Sequence, residues 1–373
     1  MKTRYLLPFL SLFLLTSCGG DDEPKVTNDD SLTVSQTSFE FSADPAEAAF
    51  AVTASGEWTA VSEASWITVT NTGTTSAGGS VKVKVAENAS LTDRTGSILV
   101  MSGRARASVS VLQKGRVPAP VDPSIDVPEG YTLVWHDEFD NGTTLNADSW
   151  THQVAGPGWV NNELQTYVNG SYDGQRVTEL NNGRLSINAF KANGKVYSGR
   201  IYAMENQGWT YGIFEAAIRL PKGKGTWPAF WMMPANNDYA ANPWPRCGEI
   251  DIMEEVGYNP NYTSSSIHCE SYNHTKGTQK TAERLTSGAQ DDFHIYRLEW
   301  TEDYIRTYVD GRILLSFDND KKGDVATWPF NKPFYIILNL AWGGDWGGAM
   351  GVDESCLPAT MEVEYVRVFQ RLP

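Results

Sequence analysis

The sequence predicts an all-β protein, and three observations carry that prediction. Short runs alternate apolar and polar residues, as in SVKVKV at 80–85 and MEVEYVRV at 361–368, the two-residue period of half-buried strands. Tyr, Trp, Thr, Val and Gly are abundant, a composition that fits pleated surfaces and turns. Nothing marks an all-helical chain. The 373 residues leave room for two domains with ordinary cores once a targeting segment is set aside. No repeat of solenoid or propeller period is present.

The elements follow in order. Lys2 and Arg4 precede an apolar run over residues 5–15 that ends in LTSC at 15–18. That run is too short to span a membrane and reads as a targeting segment. Residues 1–17 resemble a bacterial lipoprotein signal peptide, which implies cleavage before Cys18 and a lipid on that cysteine. Residues 18–31 form an acidic tether, GGDDE at 19–23 resembling the export tag of outer-surface lipoproteins in the Bacteroides group. The resemblance implies a lipid-anchored protein on the outer membrane, exposed at the surface. Residues 32–115 have the size and turn spacing of a small immunoglobulin-like β-sandwich. GEWTA at 56–60, SWITV at 65–69 and VSVLQKG at 109–115 resemble the BACON domain. A spacer role is expected, because Trp58 and Trp66 in so small a sandwich are more often core than sugar platforms. Residues 116–130, with Pro118, Pro120, Pro123 and Pro128, form a proline-rich linker that stiffens towards extended geometry. Residues 131–373 make the second, larger domain.

Charge and cysteine usage narrow the chemistry. A net charge of −15 lacks the basic stripes that displace counterions from nucleic acid, and argues against heavily sulfated polymers. With Cys18 on lipid, Cys247, Cys269 and Cys356 remain, an odd number that implies no disulfide framework. Cys247 shares the strand parity of Glu249, and a packing role is expected for it.

The stretch WPRCGEIDIMEEVG at 244–257 carries the chemistry. Strand alternation sends Glu249 and Asp251 to one face and Ile250 and Ile252 to the other. Glu254 is one residue out of step. A β-bulge with its extra residue at Met253 returns Glu254 to the face of the other two acids. Crowded carboxylates raise one another's pKa, so such a cluster is costly unless it works. Retaining glycoside hydrolysis needs one ionised carboxylate as nucleophile and one protonated acid on the leaving group. Glu249 fits the first role, Glu254 the acid/base, and Asp251 a proton-sharing partner of Glu249.

Further segments extend the pattern: LVWHDEFD at 133–140, NNELQTY at 161–167, SGR at 198–200, YGIFE at 211–215, TWPAFWMMP at 226–234, DFHIY at 292–296 and ILNLAWGG at 337–344. With the acidic strand they resemble the laminarinase-like branch of glycoside hydrolase family 16, over residues 131–371. The resemblance implies a β-jelly roll of two curved sheets with an open cleft, and an endo-acting retaining enzyme on β-1,3-glucan and mixed-linkage β-1,3/1,4-glucan. It also implies that no cofactor is required. Rival readings are a same-fold hydrolase of agarose, porphyran or carrageenan, and a surface glycan-binding lipoprotein without catalysis. Transglycosylation by the same intermediate is a third.

Trp227 and Trp231, four residues apart on one strand parity, are candidates for the floor of the groove, since sugar faces lie well on indole rings. The resemblance places Asn162, Arg200 and His268 around the sugar sites, with Trp159 and Trp346 on loops at the groove's ends. His268, Cys269, Glu270 and His274 match no zinc spacing. A structural Ca2+ near Glu138 and Glu364 is implied only by the family. A monomer is expected.

Overall fold

The computed structural model describes residues 31–75, 78–88, 92–115 and 125–371. The signal segment, Cys18, nearly all of the acidic tether and the linker residues 116–124 lie outside these. The chain divides into two compact units, Met1–Val117 and Pro118–Pro373. Among the described residues no helix is long and apolar enough to cross a membrane.

The first unit packs two four-stranded sheets. Alternation in strands such as Ala46–Ala54 and Ala105–Gln113 delivers Phe50, Val52, Val109 and Val111 to a shared core with Val81, Val83, Ile98 and Val100. Trp58 is 4% exposed within that core. Trp66 packs against it, with the Arg94 guanidinium 4.3 Å from the ring centroid. Both indoles therefore serve packing.

In the second unit a seven-stranded sheet faces a ten-stranded one. We number the strands of the smaller sheet β1 (Trp150–His152), β2 (Arg200–Ala203), β3 (Thr226–Pro234), β4 (Glu249–Glu254), β5 (Tyr262–His268), β6 (Lys280–Leu285) and β7 (Phe334–Trp342). Their order across the sheet is β1-β2-β7-β3-β4-β5-β6, so strands distant in sequence meet at its centre. All pairs are antiparallel.

β7 is buried along its whole length, and its alternation splits two apolar sets. Phe334, Ile336, Leu338 and Leu340 enter the core between the sheets with Phe230, Met232, Ile250, Ile252 and Met253. Burial of each such side chain contributes about 1.5–3 kcal/mol. Tyr335 and Ile337 turn to the opposite face and cluster with Met233 and Cys247. Cys247 is wholly buried there, a packing residue. That second, open face carries the acids.

Candidate active site

The register of β4 explains how three carboxylates share a face. Against β3, Phe230 pairs with Met253 and Trp231 with Asp251, which leaves Ile252 over. Against β5, the pairing passes from Asp251–Ser266 to Glu254–Ser264, so Ile252 and Met253 together oppose Ser265. This is a β-bulge, and its extra residue opposite β3 is Ile252 rather than Met253. Both bulge side chains lie in the core, and Glu254 emerges on the open face.

Each glutamate receives an indole N–H. Trp227 Nε1 donates to Glu254 Oε1 at 2.9 Å, and Trp244 Nε1 donates to Glu249 Oε2 at 3.1 Å. Burial, then the Asp251 charge, pushes Glu249 up to about 8. Burial alone raises Asp251 to about 8, and burial followed by Asp251 raises Glu254 to about 8, against the Trp227 hydrogen bond. These groups titrate as one system. Held together with little water, they cannot all ionise near neutrality, so the site keeps both a proton to give and a carboxylate to attack.

His268 stands opposite Glu249 in register, its Nε2 3.2 Å from Asp251 Oδ2 and 3.9 Å from Glu249 Oε1. Ligand atoms of Glu249, Asp251 and His268 fall within 4.8 Å of one another, near enough for a cation. An ion there would occupy the two carboxylates the chemistry uses. Of the other members of the His268 to His274 run, Cys269 Sγ contacts Thr327 O at 3.6 Å and Glu270 pairs with Arg246 at 3.7 Å, whereas the His274 ring packs beside the site against Trp244 and His268, at 5.0 and 5.2 Å.

The remaining candidates surround this centre. Arg200 is 8% exposed, its guanidinium 4.6 Å from the Trp231 ring and 5.0 Å from the Trp159 ring. Trp346, on the short helix Gly344–Gly347, meets Trp227 edge-on at 5.5 Å. Trp159 and Trp346 therefore each stand one contact away from the residues that floor the site. Asn162 donates to Asp345 Oδ1 at 2.8 Å, tying the 161–167 loop to that helix.

The calcium expectation does not fit. Glu138 is held in a fork by Arg367 at 2.9 and 2.7 Å, and Glu364 pairs with Arg184 at 3.0 Å. Each carboxylate already faces a guanidinium that a divalent cation would have to displace.

Sequence reasoning missed a supporting chain of polar groups. Trp231 Nε1 donates to Asn339 Oδ1 at 2.7 Å, Asn339 Nδ2 to the Tyr167 hydroxyl at 3.4 Å, and that hydroxyl to Glu163 Oε2 at 3.1 Å. Gln165 bridges Glu163 at 2.6 Å and the Trp342 backbone N–H at 2.8 Å. It also missed Trp244, which no strand parity could place because it lies in the turn before β4.

Comparison with known proteins gives the same direction. Residues 164–367 match the model for glycosyl hydrolases family 16, and residues 31–116 the model described as the viral BACON domain. A beta-glucanase of Rhodothermus marinus is 42% identical over 247 residues, covering 64% of this chain and 85% of that protein. Glucan endo-1,3-beta-glucosidase A1 of Niallia circulans is 34% identical over 297 residues, covering 71% of this chain and 41% of that one. The X-ray structure of the Rhodothermus marinus laminarinase superposes with a TM-score of 0.62 at 40% identity, over 65% of this chain and 98% of its own. With the family model matched across more than half of its length, and the acids gathered on one face of a jelly-roll sandwich, the chain belongs to glycosyl hydrolase family 16.

Proposed function

We propose that this chain is an endo-acting, retaining β-glucanase that cuts β-1,3-glucan and mixed-linkage β-1,3/1,4-glucan. The observation that carries the reading is the bulged strand, which sets Glu249, Asp251 and Glu254 side by side with an indole N–H on each glutamate. The names of the similar proteins support the substrate class.

In the first step the Glu254 carboxyl gives its proton to the glycosidic oxygen while Glu249 attacks the anomeric carbon, so the glycosyl–oxygen bond breaks as the glycosyl–enzyme ester forms. Glu254, now ionised, takes a proton from water, which attacks the same carbon and expels Glu249. Asp251 shares its proton with Glu249 as that carboxylate is released. Trp231 supplies a stacking face, and the Asn339–Tyr167–Glu163 chain fixes that ring. Arg200, its Nε buried and free of protein partners, donates to sugar hydroxyls. The protein's own side chains carry every step. As the wider setting we propose a monomer anchored through a lipid on Cys18 at the outer membrane, facing polymer, on the strength of the signal-like first residues.

Glu249→Gln is the decisive test. The amide is nearly isosteric but cannot attack, so turnover on laminarin should fall at least ~1000-fold, about 4 kcal/mol of barrier, while calorimetry still registers oligosaccharide binding. Early-time NMR should show the new reducing ends as the β-anomer. Residual activity within about tenfold of the parent enzyme removes Glu249 from the nucleophile role.

A further inference from the structure

β5 carries three serines in a row, and they divide between the two faces of the sheet. Ser265 turns inward, where its Oγ donates to Ile252 O at 2.6 Å and accepts from Thr307 Oγ1 of the other sheet at 2.8 Å. Alternation then sends Ser264 and Ser266 to the open face, in register with Glu254 and Asp251. Ser266 is satisfied, donating to Thr281 Oγ1 on β6 at 3.0 Å. Ser264 is not. It is 4% exposed and its Oγ has no hydrogen-bond partner. A buried hydroxyl in that state is unfavourable, and a ligand hydroxyl can supply the missing bond. On its other side Ser264 pairs with Glu283 of β6, an exposed carboxylate that accepts one long bond, 3.4 Å, from Asn259 Nδ2.

β4 separates this wall from Trp231, Asn339 and Arg200, which stand on β3, β7 and β2. A glycan lying over the acids with one flank on Trp231 and Arg200 meets β5 and β6 with the other. We propose that Ser264 and Glu283 form the binding wall for the leaving-group sugar. Ser264 hydrogen-bonds a hydroxyl of the unit whose linking oxygen Glu254 protonates, and Glu283 accepts from neighbouring hydroxyls. A carboxylate at that place suits a neutral sugar and repels a sulfated one. The proposal rests on the β-glucanase reading above.

Two substrates separate the sides of the cleft. Laminarihexaose needs a sugar on the leaving side, whereas a nitrophenyl β-laminaribioside brings a leaving group that requires no sugar hydroxyls there. For both Ser264→Ala and Glu283→Ala, kcat/KM on laminarihexaose should drop about tenfold, the scale of one hydrogen bond, with the aryl substrate held within about twofold. Ser264→Ala should not lower Tm, because its hydroxyl has no protein partner to lose. A parallel loss on both substrates puts these residues on the donor side or in the support of Glu254 and overturns the proposal, as does no loss on either. Parent enzyme inactive on both substrates refutes the β-glucanase reading itself.

Discussion

Glu254 takes a hydrogen bond from the Trp227 indole, and that bond opposes the upward push of burial on its carboxyl. Trp227→Phe keeps an aromatic face and removes the donor, so Glu254 should hold its proton to higher pH. The alkaline limb of the kcat/KM profile should move up, by roughly one to two pH units for a hydrogen bond to an ionised carboxylate; an unmoved limb separates Trp227 from the acid's titration. Glu255, the next residue, is buried as well. Burial raises it to about 8 against hydrogen bonds from Gln290 and the Asn261 N–H. An unfolded chain releases that proton near about 4.3. The folded state thus binds more protons between these values, and stability is lost as pH rises from about 4.3 towards 8. Glu255→Gln should flatten urea-unfolding stability against pH in that window by up to about 1.4 kcal/mol per pH unit. At this scale parity made Glu249, Asp251, Trp227 and Trp231 legible, because each sits on a strand. Asn339 was not, since in an all-buried β7 it stands among apolar neighbours, and Glu163 was not, since Asn161 and Asn162 hold the preceding loop in left-handed backbone. The pairing of Glu138 with Arg367 and of Glu364 with Arg184 joins distant segments, so no local pattern announces it.

The bulge in β4 belongs to the element. A bulge was readable from the spacing of the acids, but which residue was extra depended on the register of β3, which no local pattern states. Deleting Met253 gives EIDIEE, a regular alternation that still presents the three acids on one face. Its cost is one fully buried core side chain, about 2–5 kcal/mol. Deleting Ile250 instead throws Asp251 towards Phe230 and Met232 in the core and leaves a charge there without compensation. The first variant should fold and keep measurable hydrolysis of β-glucan; the second should lose activity and soluble yield. Equal behaviour in expression and reducing-sugar assays would mean that the bulge does not position Glu254.

Over the whole molecule, the division near the proline-rich stretch follows from two sets of alternating strands, each closing its own core: Phe50, Val81 and Val109 in one, Phe230, Ile250 and Leu338 in the other. Composition conveyed the all-β class, since it samples every strand at once. The sheet order was out of its reach, because β7 sits between β2 and β3 through pairings far apart in sequence. The proposed anchoring makes placement in the cell turn on Cys18. Cys18→Ala should move the enzyme from the membrane fraction to the soluble one with specific activity unchanged within about twofold, as a lipid anchors without touching the acids. Protease treatment of intact cells then reports the side of the membrane. The three remaining cysteines are all unpaired, Cys247 and Cys269 fully buried and Cys356 half-buried against Gly223, at the start of the loop that leads into Trp227. With Cys18 replaced, Cys356 is thus the one cysteine that is not fully buried and the thiol that a maleimide dye should reach first. A fluorophore attached there, at one per chain, would sit by the loop that enters β3.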